Sequence, residues 1–224
     1  MASVFQSLPS ESLRMQTNKT EWILFPSIYF GGLFPHLTYL RQQNRAMLRG
    51  PLTDYHDRRI INAYMLGLSA AECAISMEER DVISCRQHFS ACVRESSFRE
   101  ASLPIKVMHY VIDNFHSSRT FHTFNHPSND VMWHVVRQFL ALLGLSMSVE
   151  RPPVNQYLND VTAAISLEMA EAVGLKFVDD EYSSHGVTIP RISLIEQFFR
   201  LYDSVADFPA LCSANPAPNL GAPD

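Results

Sequence analysis

The sequence lacks any uninterrupted apolar run of the length that a membrane-spanning helix needs. Such a helix takes roughly 20 consecutive apolar residues, and Arg, Asp, Glu or His interrupts every candidate stretch. The opening stretch MASVFQSLPSESLR also lacks a basic segment followed by an apolar block, so it does not have the pattern of a secretory signal. We therefore expect a protein that does not span a membrane and that resides in the cytoplasm.

Cysteine is scarce and has no metal-binding spacing. The chain contains 4 cysteines, and no two of them are spaced as CxxC, so the pattern predicts neither a disulfide scaffold nor a zinc site. The histidines show no ligand spacing either, and no metal is expected. The simplest interpretation of the cysteines is that they are reduced thiols in the core.

Basic residues are fewer than acidic ones, 18 against 23. The formal net charge is -5, and the basic residues are scattered along the chain, which argues against a nucleic-acid-binding surface. With 46% hydrophobic and 18% charged residues over 224 positions, the composition is that of a globular protein long enough to bury a substantial core.

Helical patterns dominate what is present. Apolar residues keep helical spacing from Arg58 to Leu66, a capping box begins at Ser69, and a broad apolar stripe follows Pro127. Two short runs, 22–30 and 120–124, instead look like strands buried on both faces, as strands of parallel sheets are. We therefore predict a helix-rich α/β fold with a short parallel sheet.

Pro152 and Pro153 break the pattern and predict a division of the chain. We expect an α/β core over 1–149 and a small helical appendage over 150–207, with helices over 161–173 and 192–202. The stretch 208–224 is rich in Pro, Ala, Gly and Asn, so we expect it to be a flexible tail.

The stretch FHTFNHPSNDV, residues 121–131, contains the first candidate site. Asn125 and His126 lie where a strand-like run turns into a helix. A histidine titrates near neutral pH, so His126 could act as a general acid or base, and the amide of Asn125 could donate to a developing oxyanion or a hydroxyl. Asn129, in the first helical turn, is a candidate ligand contact. Alternatively, Asn125 and Pro127 serve only to start the helix.

The stretch TDYHDRR, residues 53–59, contains the second candidate site. Tyr55 and His56 at a helix start could contact a ligand, and Arg58 could bind phosphate or carboxylate. The alternative is again a helix cap with a solvated basic face. Further upstream, Gly32 could let a ligand approach the backbone, although a glycine pair is more often a turn.

Four motifs together resemble the WcbI family of polysaccharide (capsule) biosynthesis proteins. They are FPSIYF with Gly32 after it, PHLTYL at 35–40, DYH at 54–56 and TFNHP at 123–127, and their order and rough spacing resemble the family from about Phe5 to Leu145. Family members usually begin with a strand and a Gly-Asn-Cys-type turn that supplies a nucleophile or an oxyanion contact. Nothing similar stands before Phe5, so the chain resembles a member without its N-terminal strand-turn-helix unit.

The resemblance implies an SGNH-hydrolase-like fold, binding of coenzyme A or acyl-CoA, and acetyl transfer to a saccharide or nucleotide sugar in bacterial capsule or exopolysaccharide synthesis. In that role His126 is the acid/base, Asn125 is the donor, and Tyr55 and His56 contact the ligand. A carbohydrate esterase on the same scaffold would use water as the acceptor. A non-catalytic module that binds coenzyme A or saccharide is the alternative from a different class, and a homo-oligomer is compatible with each function.

Overall fold

Small antiparallel sheets and many helices make up the part of the chain that the computed structural model describes, residues 23–145 and 157–215. In chain order the elements are β1 (Leu37–Tyr39), β2 (Tyr55–Asp57), α1 (Arg58–Met65), α2 (Ala70–Ser76), α3 (Val82–Glu100), α4 (Met108–Asn114), β3 (Phe121–Thr123), β4 (His126–Pro127), α5 (Asn129–Leu142), β5 (Val161–Thr162), α6 (Leu167–Val173), β6 (Tyr182–Ser184), β7 (Val187–Ile189), α7 (Arg191–Asp203) and α8 (Phe208–Ser213). The prediction of a helix-rich, mixed α/β fold is confirmed.

The predicted parallel sheet is wrong for the described residues. Strand β1 pairs with β2, β3 pairs with β4, and β6 lies between β5 and β7, and all of these pairs are antiparallel. The apolar run Ile23–Phe30 forms no strand, since Pro26 cannot donate to a ladder and Phe25 is 59% exposed. Burial on both faces, the premise of the parallel prediction, therefore fails for this run, whereas Phe121–Thr123 is buried at every position and still pairs antiparallel. The SGNH-like arrangement gains no support from these sheets.

Local sequence signals set where several helices begin. The Ser69 hydroxyl accepts from the Glu72 N–H at 3.3 Å, and the Glu72 carboxylate accepts from the Ser69 N–H at 2.8 Å, which completes the predicted capping box. Asp57 caps α1 by accepting from the Arg59 N–H at 2.8 Å, and Asp81 caps α3 in the same way. The predicted helix start after Ser69 is confirmed.

The two parts of the predicted domain division pack against each other. Helix α6 packs along α3, and α7 packs on α1 and α2. The helix predicted over 161–173 begins only at Leu167, because β5 occupies its first part. The predicted boundary lies in 146–156, outside the described residues, and the division into core and appendage stays a prediction.

The predicted flexible tail is wrong for its first residues, because Phe208–Ser213 form α8. The ring of Phe208 is buried and stacks on Tyr202 with 4.1 Å between ring centres. One large aromatic side chain in the core thus holds a short helix that composition alone did not indicate. The rest of the predicted tail, 216–224, lies outside the described residues.

The buried apolar side chains form a cluster to which both described ranges contribute. Its largest fully buried members are Tyr202, Phe30, Phe121, Phe198, Phe208, Leu33, Leu52, Ile60, Ile105, Ile165, Met169 and Leu194. No helix in the described ranges is both long enough and apolar enough to cross a bilayer.

Candidate functional site

Two separate motifs of the sequence meet at one polar cluster. Strand β2 begins at Tyr55, and the turn from β3 to β4 contains Asn125 and leads into His126. The Tyr55 hydroxyl donates to Oδ1 of Asn125 at 2.6 Å and lies 3.2 Å from Nε2 of His126. Three of the predicted site residues are therefore in direct contact.

Thr123 and Tyr39 complete this group. Oγ1 of Thr123 lies 3.1 Å from both the Tyr55 hydroxyl and Oδ1 of Asn125. Nδ2 of Asn125 donates to the Tyr39 hydroxyl at 3.1 Å. We refer to Tyr39, Tyr55, Thr123, Asn125 and His126 as the Asn–His cluster.

The hydrogen-bond directions in the Asn–His cluster leave one nitrogen of His126 basic. Oδ1 of Asn125 can only accept, and the short contact with Tyr55 directs the single hydroxyl proton of Tyr55 toward it. Nε2 of His126 then carries a proton and donates to the Tyr55 oxygen. Nδ1 of His126 is consequently unprotonated; it is also buried and makes no hydrogen bond of normal geometry within the described ranges.

Burial controls the protonation of the cluster. It lowers the pKa of His126, and this effect is opposed in part by the Asp160 carboxylate and the backbone of Leu158. The ring is therefore neutral near pH 7, which is the state that a general base needs. Burial also raises the pKa of Tyr55 and Tyr39, so both hydroxyls stay protonated and can hold the network together.

An apolar cavity of about 310 Å³ lies close to the Asn–His cluster, lined by Leu24–Tyr29, by α3 and by the segment leading into α4. The ring of Tyr29, which lines it, packs on Phe124 with 5.3 Å between ring centres. Phe124 in turn packs on Tyr39 and Tyr55 at 5.0 and 5.3 Å. A continuous set of aromatic contacts therefore joins the cavity wall to the cluster.

Arg99 places a positive charge at this cavity. Its guanidinium lies 5.9 Å from the centre of the Tyr29 ring and donates to the Ser96 hydroxyl at 2.9 Å. Glu100 also lines the cavity, but its carboxylate accepts the backbone N–H groups of Val107 and Met108, both at 2.8 Å. The cavity thus combines apolar walls with a cation able to bind an anionic group.

The predicted acid/base and the predicted donor lie outside the apolar cavity. Neither His126 nor Asn125 lines this cavity or a smaller one beside His36. The rings of Tyr29 and Phe124 instead lie between the cavity and the cluster. Phe124 takes this place because it directly precedes Asn125 in the turn.

His56 is not at the site, so its predicted ligand contact is not supported. Neighbouring residues of a strand point to opposite faces, so His56 points away from the Asn–His cluster although Tyr55 belongs to it. Its side chain is fully buried, with Nε2 donating to the Leu48 carbonyl at 2.7 Å and Nδ1 lying 3.0 Å from the Tyr202 hydroxyl. Its role is to join β2 to α7.

His56 makes the stability of the fold depend on pH. Burial lowers its pKa to about 4, whereas a histidine in the unfolded chain titrates near 6.5. The unfolded state therefore binds more protons between these values, and stability falls as the pH drops through this window. We expect a loss of about 2 to 3 kcal/mol between pH 7 and about pH 4.5, measured by urea unfolding.

The His56→Gln variant is the control for this pH dependence, since glutamine does not titrate. Asp57 does not contribute to this pH dependence. Burial raises the pKa of its carboxyl, but the Arg59 charge has the larger opposite effect and holds the pKa at about 2. Its stabilising contribution is lost only at more acidic pH. An equal pH slope in wild type and His56→Gln would show that His56 is not the cause.

Arg58 and Asn129 lie outside the Asn–His cluster. Nη2 of Arg58 donates to the Thr38 hydroxyl at 3.1 Å, and burial lowers the pKa of its guanidinium. The side-chain oxygen of Asn129 accepts from the backbone N–H of Tyr157 at 3.0 Å. The ligand contacts predicted for these two residues stay predictions.

Packing, rather than ligand approach, explains Gly32. A Cβ atom there would lie 2.3 Å from a ring carbon of Phe30, whereas at Gly31 it would lie 3.6 Å from the Tyr29 hydroxyl. We expect Gly32→Ala to lower the free energy of unfolding by about 1 to 3 kcal/mol through overpacking. The matched variant Gly31→Ala should change it by less than about 0.5 kcal/mol. Urea titration of both variants tests this, and equal effects would contradict it.

Sequence reasoning missed Tyr39, Thr123 and Arg99 as site residues. A signal for Thr123 was present, because the period of two in an extended chain places Thr123 and Asn125 on one side. Tyr39 lies opposite Tyr55 only through the pairing of β1 with β2, which no local pattern indicates. Arg99 is brought to the cavity by α3 alone, and no local pattern marks it.

Comparison with known proteins gives two findings. The family model described as polysaccharide biosynthesis enzyme WcbI matches residues 2–148. A solved native structure of WcbI, described as a novel polysaccharide biosynthesis enzyme and as having no disulfide bond between coenzyme A and a cysteine, has a TM-score of 0.60 and 16% identity; the match covers 84% of this chain and 69% of that one. At this identity the likeness shows a shared fold alone.

No curated protein matches the chain significantly in sequence. The family match, however, extends over more than half of the chain and includes the four motifs around the Asn–His cluster. The chain belongs to the WcbI family of polysaccharide biosynthesis enzymes.

Proposed function

We propose that the protein transfers an acyl group, in the first instance acetyl, from coenzyme A to a saccharide hydroxyl in capsule or exopolysaccharide synthesis. The observation that carries this proposal is the Asn–His cluster, in which a neutral imidazole with an unprotonated but buried Nδ1 is connected to an apolar cavity through the rings of Tyr55, Phe124 and Tyr29. Membership of a polysaccharide biosynthesis family supports a saccharide acceptor. The coenzyme A named for the solved WcbI structure supports the donor.

The cavity has the properties that the acyl-pantetheine end of coenzyme A requires. Its volume of about 310 Å³ lies at the lower end of the range for small-molecule pockets, about 300 to 1,000 Å³. Its walls are largely apolar, and Arg99 offers a cation for a phosphate or carbonyl oxygen. Tyr29 lines the cavity and packs on Phe124, so the thioester would reach the Asn–His cluster from this side.

The proposed reaction needs one base, and His126 supplies it. Nδ1 of His126 is buried, so a shift of the ring must first expose it; it then takes the proton of the saccharide hydroxyl as the hydroxyl oxygen attacks the thioester carbonyl, and a C–O bond forms. When the tetrahedral intermediate collapses, the C–S bond breaks and the imidazolium returns the proton to the sulfur of coenzyme A. The Asp160 carboxylate and the Leu158 backbone favour the transient imidazolium.

Asn125 is the proposed oxyanion donor. One N–H of Nδ2 donates to Tyr39, which leaves the second for the developing negative oxygen. Thr123 and Tyr55 fix the other end of the amide, so the donor is held in place before the reaction. A nucleotide-sugar acceptor, an SGNH-like arrangement, a cytoplasmic location and homo-oligomer formation stay predictions.

A binding module without catalysis is the second candidate. It is favoured by one observation, that His126 and Asn125 line neither of the two cavities. A carbohydrate esterase would use the same groups with water as the acceptor. Measuring binding and turnover separately distinguishes the three functions.

The proposal is tested by calorimetric titration of the purified protein with coenzyme A and with acetyl-CoA. We expect binding heat from both ligands, and we expect Leu103→Trp, which fills the cavity, to remove it. The control Leu142→Trp, at a position 47% exposed on α5, should bind as wild type does. Absence of heat with both ligands in wild type would overturn the cofactor assignment. Binding of acetyl-CoA without acetyl transfer to any saccharide or to water would instead support the non-catalytic binding module.

A further inference from the structure

A second cluster of potential ligands shares no residue with the Asn–His cluster. Nε2 of His36, Sγ of Cys85 and a carboxylate oxygen of Glu168 all lie within 4.8 Å of one another. His36 precedes β1, Cys85 lies in the first turn of α3, and Glu168 lies in the first turn of α6. Cys85 and Glu168 are buried, and His36 is partly exposed.

We propose that His36, Cys85 and Glu168 together bind one zinc ion. Imidazole nitrogen, thiolate sulfur and carboxylate oxygen are the three ligand types that Zn²⁺ uses in proteins. With metal–ligand distances of about 2.0 to 2.3 Å, tetrahedral ligands lie roughly 3.3 to 3.6 Å apart. Nε2 of His36 is already 2.9 Å from Oε1 of Glu168, so small side-chain shifts bring all three atoms to these separations.

The charges of the surrounding residues favour a cation at this place. Glu168 is a buried carboxylate whose close partner His36 is a neutral imidazole when it binds metal. Nη1 of Arg59 lies 3.7 Å away, but this guanidinium is already paired with both oxygens of Asp57 at 3.1 and 2.8 Å. The group therefore retains one negative charge, and Zn²⁺ with a Cys85 thiolate makes it neutral.

Zinc binding requires Cys85 to lose a proton. Burial, with a smaller effect of Glu168, raises the pKa of the free thiol to about 11, so Cys85 is protonated without metal. Zn²⁺ stabilises the thiolate, and the thiol proton is released to solvent. At the same time the proton of the His36 ring moves from Nε2 to Nδ1, which leaves Nε2 free to bind.

Three protein ligands leave the fourth tetrahedral position to a water. A cavity of about 10 Å³ beside His36 has room for a single water, although neither Cys85 nor Glu168 lines it. It is too small for a saccharide or a thioester, so we place the ion outside the proposed acyl-transfer site. It instead connects the segment before β1 to helices α3 and α6.

No local motif marks this site, because its ligands are far apart along the chain. Zinc motifs are recognised by short ligand spacings, whereas the bond between His36 and Glu168 spans 132 positions. The packing of α6 along α3 brings Cys85 and Glu168 together, and the bond from His36 to Glu168 adds the third side chain.

The test is metal binding by the whole chain after chelator treatment and dialysis. We expect about one zinc per chain by mass spectrometry after reconstitution with ZnSO4, and a higher Tm than for the metal-free protein. Cobalt(II) in place of zinc should give a thiolate-to-metal charge-transfer band in the near ultraviolet. Cys85→Ala should remove that band and weaken zinc binding by more than about 100-fold, since even outer-shell changes cost 10- to 100-fold.

Cys73→Ala is the matched control, because Cys73 is also a buried free thiol and is not one of the three ligands. It should bind zinc and cobalt as wild type does, although both alanine variants lose core packing. Glu168→Gln provides a second ligand variant that keeps the side-chain volume. No zinc in wild type, or equal zinc binding by wild type, Cys85→Ala and Glu168→Gln, overturns the proposal.

Discussion

Replacing Arg59 by methionine is expected to lower the free energy of unfolding by about 3 to 5 kcal/mol, the range found when one partner of a buried ion pair is removed. The guanidinium of Arg59 donates to both carboxylate oxygens of Asp57, and Asp57 is 1% exposed. In Arg59→Met the carboxylate keeps the Tyr182 hydroxyl as a partner but has no adjacent counter-charge. Urea titration at pH 7 gives the measurement.

Two variants show that the charge of Asp57 causes this loss. Arg58→Met removes the neighbouring guanidinium, which donates to Thr38 at the partly exposed surface, and should cost no more than about 1 kcal/mol. The double variant Asp57→Asn/Arg59→Met should be more stable than Arg59→Met, because asparagine still caps α1 and leaves no buried charge. Equal stability of Arg58→Met and Arg59→Met would contradict the account.

Replacing His126 by glutamine is expected to lower kcat for acyl transfer by about 10²- to 10⁴-fold, the usual contribution of a general base. This prediction depends on the proposed function. The heat of coenzyme A binding should stay unchanged, because His126 does not line the cavity. In wild type the rate should fall on the acid side at a pH below about 6.5, since burial lowers the pKa of His126.

His109→Gln is the control for this substitution, because His109 is exposed on α4 and should keep wild-type kcat. Tyr55→Phe is the complementary variant, since it removes the oxygen that accepts from Nε2 of His126. It should reduce kcat less than His126→Gln does, and it should leave a transfer rate that still responds to pH. Undiminished transfer by His126→Gln would remove His126 from the proposed mechanism while leaving the cofactor assignment intact.

Local chemistry was readable from the sequence, whereas pairing between distant segments was not. The capping box at Ser69 needs residues only three positions apart, and it was predicted correctly. Asn125 and His126 were found as a pair because they are adjacent. The contact between Tyr55 and Asn125 spans 70 positions. The sequence indicated the two residues only as members of two separate candidate sites, and it did not predict that they touch.

The failures have physical causes of the same kind. An apolar run was interpreted as a buried strand, although proline and exposure exclude Ile23–Phe30 from any sheet. His56 was assigned to the ligand because it follows Tyr55, although alternation along β2 turns it into the core. In each case the local pattern is present in the sequence, but the structure that it forms depends on the segments that pack against it.

The bond from Tyr182 to Asp57 has a consequence for how sequence change is tolerated in this protein. The family model ends at residue 148, yet Tyr182 and Tyr202 provide hydrogen-bond partners for two side chains of β2, the strand that positions Tyr55. Substitutions in the later segment can therefore alter the geometry of the earlier one without touching it in sequence. Positions of β2 that seem tolerant of substitution when only residues 2–148 are compared are therefore constrained by hydrogen-bond partners beyond residue 148.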